Sequence, residues 1–90
     1  MSNGSKILVV DDDRDLVDIL TMVLQGKAYE VVQAYGPQEA LAAVEREHPD
    51  LVLLDVMMPE ATEGFHVVWN LRGREDPYLA NVPIIMLTAI

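Results

Sequence analysis

Asp55 stands where an apolar run ends: Leu51-Val52-Leu53-Leu54 lead into it, and Val56-Met57-Met58-Pro59 follow. A carboxylate gains nothing there as packing, but an open α/β sheet presents its reactive groups beyond the carboxyl ends of its strands. Two other stretches share that form. Lys6-Ile7-Leu8-Val9-Val10 stops at Asp11-Asp12-Asp13, and Val82-Pro83-Ile84-Ile85-Met86-Leu87 runs into Thr88-Ala89. Carboxylates brought within a few ångströms repel one another unless some are protonated or a divalent cation sits among them. Mg2+ suits an all-oxygen site that keeps several waters. Beside such an ion and a hydroxyl, a carboxylate can attack a phosphoryl donor. In that chemistry Asp55 is the nucleophile of an aspartyl phosphate, Asp11 and Asp12 hold the metal, and Thr88 meets the phosphoryl group.

The chemistry requires elements that bring these residues together. Lys6 to Val10 is a β-branched run without alternation, the pattern of a strand covered on both faces. Leu16, Ile19, Leu20, Val23 and Leu24 then recur at helical spacing, which predicts a helix from about Arg14 to Gln25, with Gly26 closing it. Asp13 and Asp15 read as its cap and first-turn acids rather than as site residues. Glu30 to Ala34 is a second strand, and Pro37 opens a helix to about Glu47 whose small apolar face, Ala40, Leu41 and Val44, suits close packing. Asp50 to Asp55 is the third strand. Residues 56–63 have no period and form a loop. Phe65, Val68, Trp69 and Arg72 mark a third helical face, with Phe65 and Trp69 in the core, ending near Gly73. Asp76-Pro77 and Asn81 punctuate a turn before the fourth strand, where Pro83 is tolerable only at the start. His48 and His66 read as solvated. Strands alternating with helices predict right-handed crossovers and one parallel sheet, so Asp11, Asp12, Asp55 and Thr88 should gather at one edge.

Composition narrows the partners. A chain of 90 residues with 51% hydrophobic content makes one domain with one core. Fifteen acidic against six basic residues give a net charge of -9, which argues against direct contact with nucleic acid or an anionic membrane and favours a cation. Cysteine is absent, so disulfides and thiolate metal sites are excluded. Residues 1–6 are too short and polar to precede a secretory segment, and no apolar stretch approaches the roughly 20 residues that span a bilayer. The expected compartment is the cytoplasm.

Ile7-Leu8-Val9-Val10-Asp11-Asp12-Asp13, Leu53-Leu54-Asp55-Val56-Met57-Met58-Pro59 and Ile84-Ile85-Met86-Leu87-Thr88-Ala89 resemble the three motifs of the receiver domain of two-component response regulators, in order and spacing. The resemblance implies a flavodoxin-like, doubly wound α/β fold with strand order 2-1-3-4. It implies Asp55 as phosphoacceptor, Asp12 as a direct Mg2+ ligand, Asp11 as a ligand acting largely through water, and Met57 as a ligand through its backbone carbonyl. Thr88 matches the switch hydroxyl and Ala89 the small residue beside the phosphoryl group. The implied donor is the phosphohistidine of a histidine kinase or phosphotransfer protein, and the implied recipient of the signal is an output domain or downstream protein. Such a chain is a phosphorelay acceptor rather than an enzyme acting on other substrates.

Two departures stand out. Glu63-Gly64 lies one residue further from Asp55 than the family's Asp-Gly pair, as if Ala61-Thr62 carried an insertion. The sequence also stops at Ile90, so residues 1–90 are expected to be the first three-quarters of a receiver, lacking its last helix-strand-helix and the strand-end lysine. An unpaired fourth strand recruits another chain, so a homodimer through Val82 to Leu87 is expected. Two other readings compete: a pseudo-receiver that binds without phosphotransfer, and a haloacid-dehalogenase-type phosphohydrolase with Asp11 as nucleophile. The latter lacks the Gly-Thr expected after Asp13 and leaves Asp55 without a role. An EF-hand reading of Asp11, Asp13 and Asp15 fails because Leu16 replaces the required glycine and Met22 the required glutamate.

Overall fold

The chain is seen in a computed structural model that describes residues 4–55 and 68–87, with Asp55 described through its backbone. Strands β1 (Lys6–Val10), β2 (Glu30–Ala34), β3 (Leu51–Asp55) and β4 (Ile84–Leu87) form one parallel sheet in the order β2-β1-β3-β4. This is the flavodoxin-like order the motifs imply.

Helix α1 (Arg14–Gly26) links β1 to β2, and α2 (Pro37–Glu47) carries the chain from β2 across β1 to β3. These two connections run in opposite directions along the sheet. Parallel crossovers are right-handed as a rule, which places the two helices on opposite faces, and the core divides into two clusters to match. Side chains alternate along each strand and divide accordingly. Leu8, Val10, Val52 and Leu54 pack with Ala40, Ala43 and Val44 of α2. Ile7 and Val9 pack with Val17 of α1, and Leu51, Leu53 and Leu20 border them. The α2 face also holds Leu71, from a helix described over residues 68–72 (α3), and Leu79, from the short helix α4 (Pro77–Asn81).

The sequence reading requires four corrections here. The expected turn before β4 contains α4, which is too short to show a period. It is held by the Asp76 carboxylate, which accepts from the Tyr78 amide at 2.8 Å, and by Pro77 at its first turn. Trp69 is 65% exposed rather than core, because Leu71 is the buried residue of α3 and lies about 200° around the helix from Trp69. Within α1 the fully buried residue is Val17, while Ile19 and Val23 are exposed. The fourth correction concerns the end of α1: Gly26 is its last helical residue, and the left-handed step falls on Ala28 at φ 71°. The Ala28 amide donates to Gln25 O and the Tyr29 amide to Leu24 O, the paired bonds of a Schellman ending. Tyr29 and Leu24 flank the same apolar cluster, which holds the ending in place although alanine is strained there. Phe65 and His66 lie outside the described residues. His48 is exposed and stacks on Tyr78 with ring centroids 4.3 Å apart.

Arg72 ties α3 to the start of β4, its guanidinium donating to the carbonyls of Ala80 (2.8 Å) and Val82 (2.9 Å). At the amino end of β1 the Lys6 ammonium donates to Glu47 at 3.1 Å. That bond raises the pKa of Lys6, while Arg46 first and Lys6 second lower that of Glu47. Both groups are open to water, so the pair adds little stability.

Ala28→Gly should raise stability by about 1 kcal/mol in urea denaturation, by removing the left-handed penalty of a Cβ. Tyr78 gives a pH signature. Its hydroxyl donates to Pro49 O, and burial, with a smaller contribution from the Asp50 charge, pushes its pKa from 10.0 up to about 12. The fold therefore favours the neutral phenol, and this contribution is complete below pH 10 and lost as pH rises from 10 towards about 12. Tyr78→Phe should flatten part of the alkaline loss of stability measured by urea midpoints across that range, Lys6 accounting for a further part.

Candidate functional site at the carboxyl edge of the sheet

Parallel pairing places Val10 opposite Ala34 on one side and opposite Leu54 on the other. The next residue of each strand leaves the sheet at the same edge: Asp11 after β1, Tyr35 after β2. Asp55 closes β3, with Leu87 as its neighbour in β4. Backbones of paired strands lie about 4.8 Å apart. Asp11 and Asp55, separated by more than 40 residues in sequence, thus come to neighbouring positions at the point where the order of strand connections reverses. That is where an open α/β sheet opens a crevice for ligands.

Asp11 is only 2% exposed. Its amide donates to Ala34 O at 3.2 Å, which extends the β1–β2 ladder one residue past the strands. One carboxylate oxygen accepts from the Asp13 amide at 3.0 Å and closes a tight turn. Asp13 has extended backbone and accepts from the amides of Asp15 (3.0 Å) and Leu16 (3.2 Å), so it is the N-cap of α1. The three consecutive acids therefore have three situations: Asp11 is buried at the strand end, Asp12 is exposed at the turn, and Asp13 is committed to the helix.

Two residues that the sequence reading does not single out line the same edge. The Arg14 guanidinium lies 4.0 Å over the ring of Tyr35, whose hydroxyl donates to Gln33 Oε1 at 3.2 Å and whose amide donates to Glu39 Oε1 at 3.2 Å. A cation at a helix N-terminus is disfavoured by the macrodipole, and the aromatic face and nearby acids offset that. Their only signal in sequence is that each directly follows a strand or its acid turn. It becomes readable once β1 is paired with β2.

The expected site residues Thr88 and Ala89, and the Met57 carbonyl, lie outside the described residues, as does the Ala61-Thr62 insertion. Among the described residues no three metal-capable side chains cluster. Of the expected oxygen set, the carboxylates of Asp11 and Asp12 are the two side chains that lie within the described residues. A nearly buried carboxylate beside an exposed one is a donor pair that fits a hard divalent cation keeping several waters.

The comparisons decide the family. Residues 7–90 match the response regulator receiver domain. The chain belongs to the response regulator receiver family. It is 48% identical over 88 residues to the probable transcriptional regulator ycf27 of Cyanophora paradoxa, covering 98% of this chain and 34% of that protein. It is 43% identical over 86 residues to the alkaline phosphatase synthesis transcriptional regulatory protein PhoP of Bacillus subtilis, covering 96% of this chain and 34% of PhoP. The chain thus spans about a third of the length of these curated relatives. Among solved structures, the N-terminal domain of a response regulator receiver protein from Methanoculleus marisnigri matches with TM-score 0.82 and 37% identity, over 94% of this chain and 67% of that one. The response regulator TrrA of Thermotoga maritima, solved in complex with Mg2+ and BeF, matches with TM-score 0.80 and 35% identity, over 96% of this chain and 70% of that one. These relatives are regulators rather than enzymes of the usual kind. No helix among this receiver's described residues is long and apolar enough to cross a membrane.

Asp13→Ala should cost this receiver about 1 kcal/mol in urea denaturation, and Asp13→Ser should recover most of it, because serine also caps α1.

Proposed function

We propose that this receiver accepts a phosphoryl group on Asp55 from the phosphohistidine of a sensor kinase or phosphotransfer protein, with Mg2+ held by Asp11, Asp12, Asp55 and the Met57 carbonyl. The observation that carries the reading is the register that brings the ends of β1 and β3 together with Asp11 beside Asp55. A carboxylate oxygen of Asp55 forms the new O–P bond as the N–P bond to the imidazole breaks, and the imidazole leaves with a proton from solvent. Mg2+, when bound, neutralises charge on the transferring group. Asp11 is fixed by its turn and its ladder bond, so its part of the metal site needs no rearrangement. Thr88 donates its hydroxyl to a phosphoryl oxygen, and Ala89 leaves room for the group.

We further propose that residues 1–90 form the first part of a receiver in a cytoplasmic regulator. The relatives are transcriptional regulators about three times the length of this match, so contact with DNA belongs to an output domain elsewhere in such a protein. The net charge of -9 agrees with that division of labour.

Incubation with phosphoramidate and Mg2+ tests the reading. Intact-mass spectrometry should show one phosphoryl adduct in the wild type and none in Asp55→Asn or without Mg2+. An adduct that persists in Asp55→Asn but vanishes in Asp11→Asn would instead support the phosphohydrolase reading. The single tryptophan, Trp69, provides a parallel readout, because its fluorescence should respond to Mg2+ and then to beryllofluoride.

A further inference from the structure

Charge is divided along the sheet. Of the six basic residues in the sequence, five lie at the amino edge: Lys6 opens β1, Lys27 and Arg46 stand at the ends of α1 and α2, and Arg72 and Arg74 lie at and just beyond the end of α3. Lys6, Arg46, Arg72 and Arg74 are engaged there with carboxylates or carbonyls. Arg14 is the sixth, and it stands at the carboxyl edge among Asp11, Asp12, Asp13, Asp15 and the first-turn acid of α2, Glu39. A guanidinium among so many acids ordinarily pairs with one, yet Arg14 makes no ion pair among the described residues. It rests instead on the Tyr35 ring.

The ring is a fixed platform. The Tyr35 amide donates to Glu39 and its hydroxyl to Gln33 Oε1, while Gln33 Nε2 donates to Asp18 (3.3 Å) and to the Thr21 hydroxyl (2.9 Å) of α1. Side chains of α1, β2 and α2 thus hold the surface on which Arg14 lies. Most carboxylates around it have other tasks: Asp11 closes its turn, Asp13 caps α1, Glu39 takes the Tyr35 amide, and Asp18, one helical turn beyond Arg14, takes Gln33. Asp12, two residues before Arg14, is exposed. The contacts of the platform all lie within residues 14–39, at the β2 end of the sheet and away from β4.

We propose that Tyr35 is a positioning residue for the metal: its ring parks the Arg14 guanidinium and so leaves the carboxylates of Asp11 and Asp12 to a divalent cation. The inference rests on the Mg2+ reading above and explains how an edge with a cation of its own stays open to a second. A guanidinium on an aromatic face and a guanidinium in an exposed ion pair are held about equally well, so the ring tips the choice. Once released, Arg14 pairs with Asp12, and Mg2+ has to displace it. Parked, it opposes the metal only at a distance, through water and screening salt.

Titration with Mg2+ alone, followed by the amide NMR signals of Asp11, Asp12 and Asp13, tests it, and the same spectra report the Arg14 side chain. In the wild type the Arg14 side-chain protons should be shifted upfield by the Tyr35 ring. Tyr35→Leu should return them to their ordinary positions and weaken Mg2+ binding about threefold, whereas Tyr35→Phe, which keeps the ring, should bind as the wild type does. Arg14→Gln should tighten binding about twofold at low salt. In the Arg14→Gln background Tyr35→Leu should leave the metal affinity unchanged, because the ring then has nothing to hold. Equal weakening in both backgrounds marks a merely structural ring and overturns the proposal. So do Arg14 protons without an upfield shift in the wild type, or a Tyr35→Leu protein that binds Mg2+ like the wild type; both leave the metal reading standing. A wild type whose signals ignore Mg2+ overturns the metal reading and this inference with it.

Discussion

Because β1 and β3 pair parallel with Val10 beside Leu54, every apolar side chain in the centre of the sheet has its face assigned, and the acid after each strand has its place. A slip of one residue would move Leu8 and Val10 from the α2 side to the α1 side and separate Asp11 from Asp55 by a further strand residue. The buried apolar residues of both faces resist that slip together. Leu8, Val10, Val52 and Leu54 are held against Ala40, Ala43 and Val44, and Ile7 and Val9 against Val17. Packing at the centre of the sheet therefore fixes the geometry of charged groups at its edge.

The two faces of that sheet are covered unequally. On the α2 side three helices contribute buried residues, and their small side chains let α2 approach closely. On the α1 side Val17, Leu20 and Leu24 cover β1 and its neighbours, but Ile85 and Leu87 of β4 stay open to water.

The elements marked by an unbroken apolar run or by a proline at their start were legible in the sequence. β1, β2 and α2 lie where their runs and their proline place them, and β3 and β4 begin one and two residues later than expected. The motifs at their ends carried the family as well. What was not legible depended on arcs and caps. Leu16, Val17, Ile19, Leu20, Met22, Val23 and Leu24 offer α1 several apolar faces, and packing against Ile7 and Val9 buries Val17 while Ile19 stays exposed. Trp69 has the composition of core, yet α3 is oriented by Leu71. Gly26 signals the end of a helix, but the Leu24–Tyr29 contact sets the ending and imposes the left-handed step on Ala28. In the site, the sequence already set Asp13 apart as the cap of α1, and the structure bears that out; what three identical residues in a row do not disclose is that Asp11 is buried at the strand end while Asp12 is exposed.

That turn joins the acidic edge to α1, and its energetics bound what can pass between them. Asp11 accepts from the Asp13 amide, and the Asp13 side chain caps α1. Any event at Asp11 that strains the turn reaches α1 first through this cap. A cap is worth about 1 kcal/mol, so coupling by this route alone is limited to about fivefold in either equilibrium. A response larger than that needs contacts other than this cap, and β4, paired with β3 beside Asp55 and tied to α3 through Arg72, is the other element that touches the acidic edge.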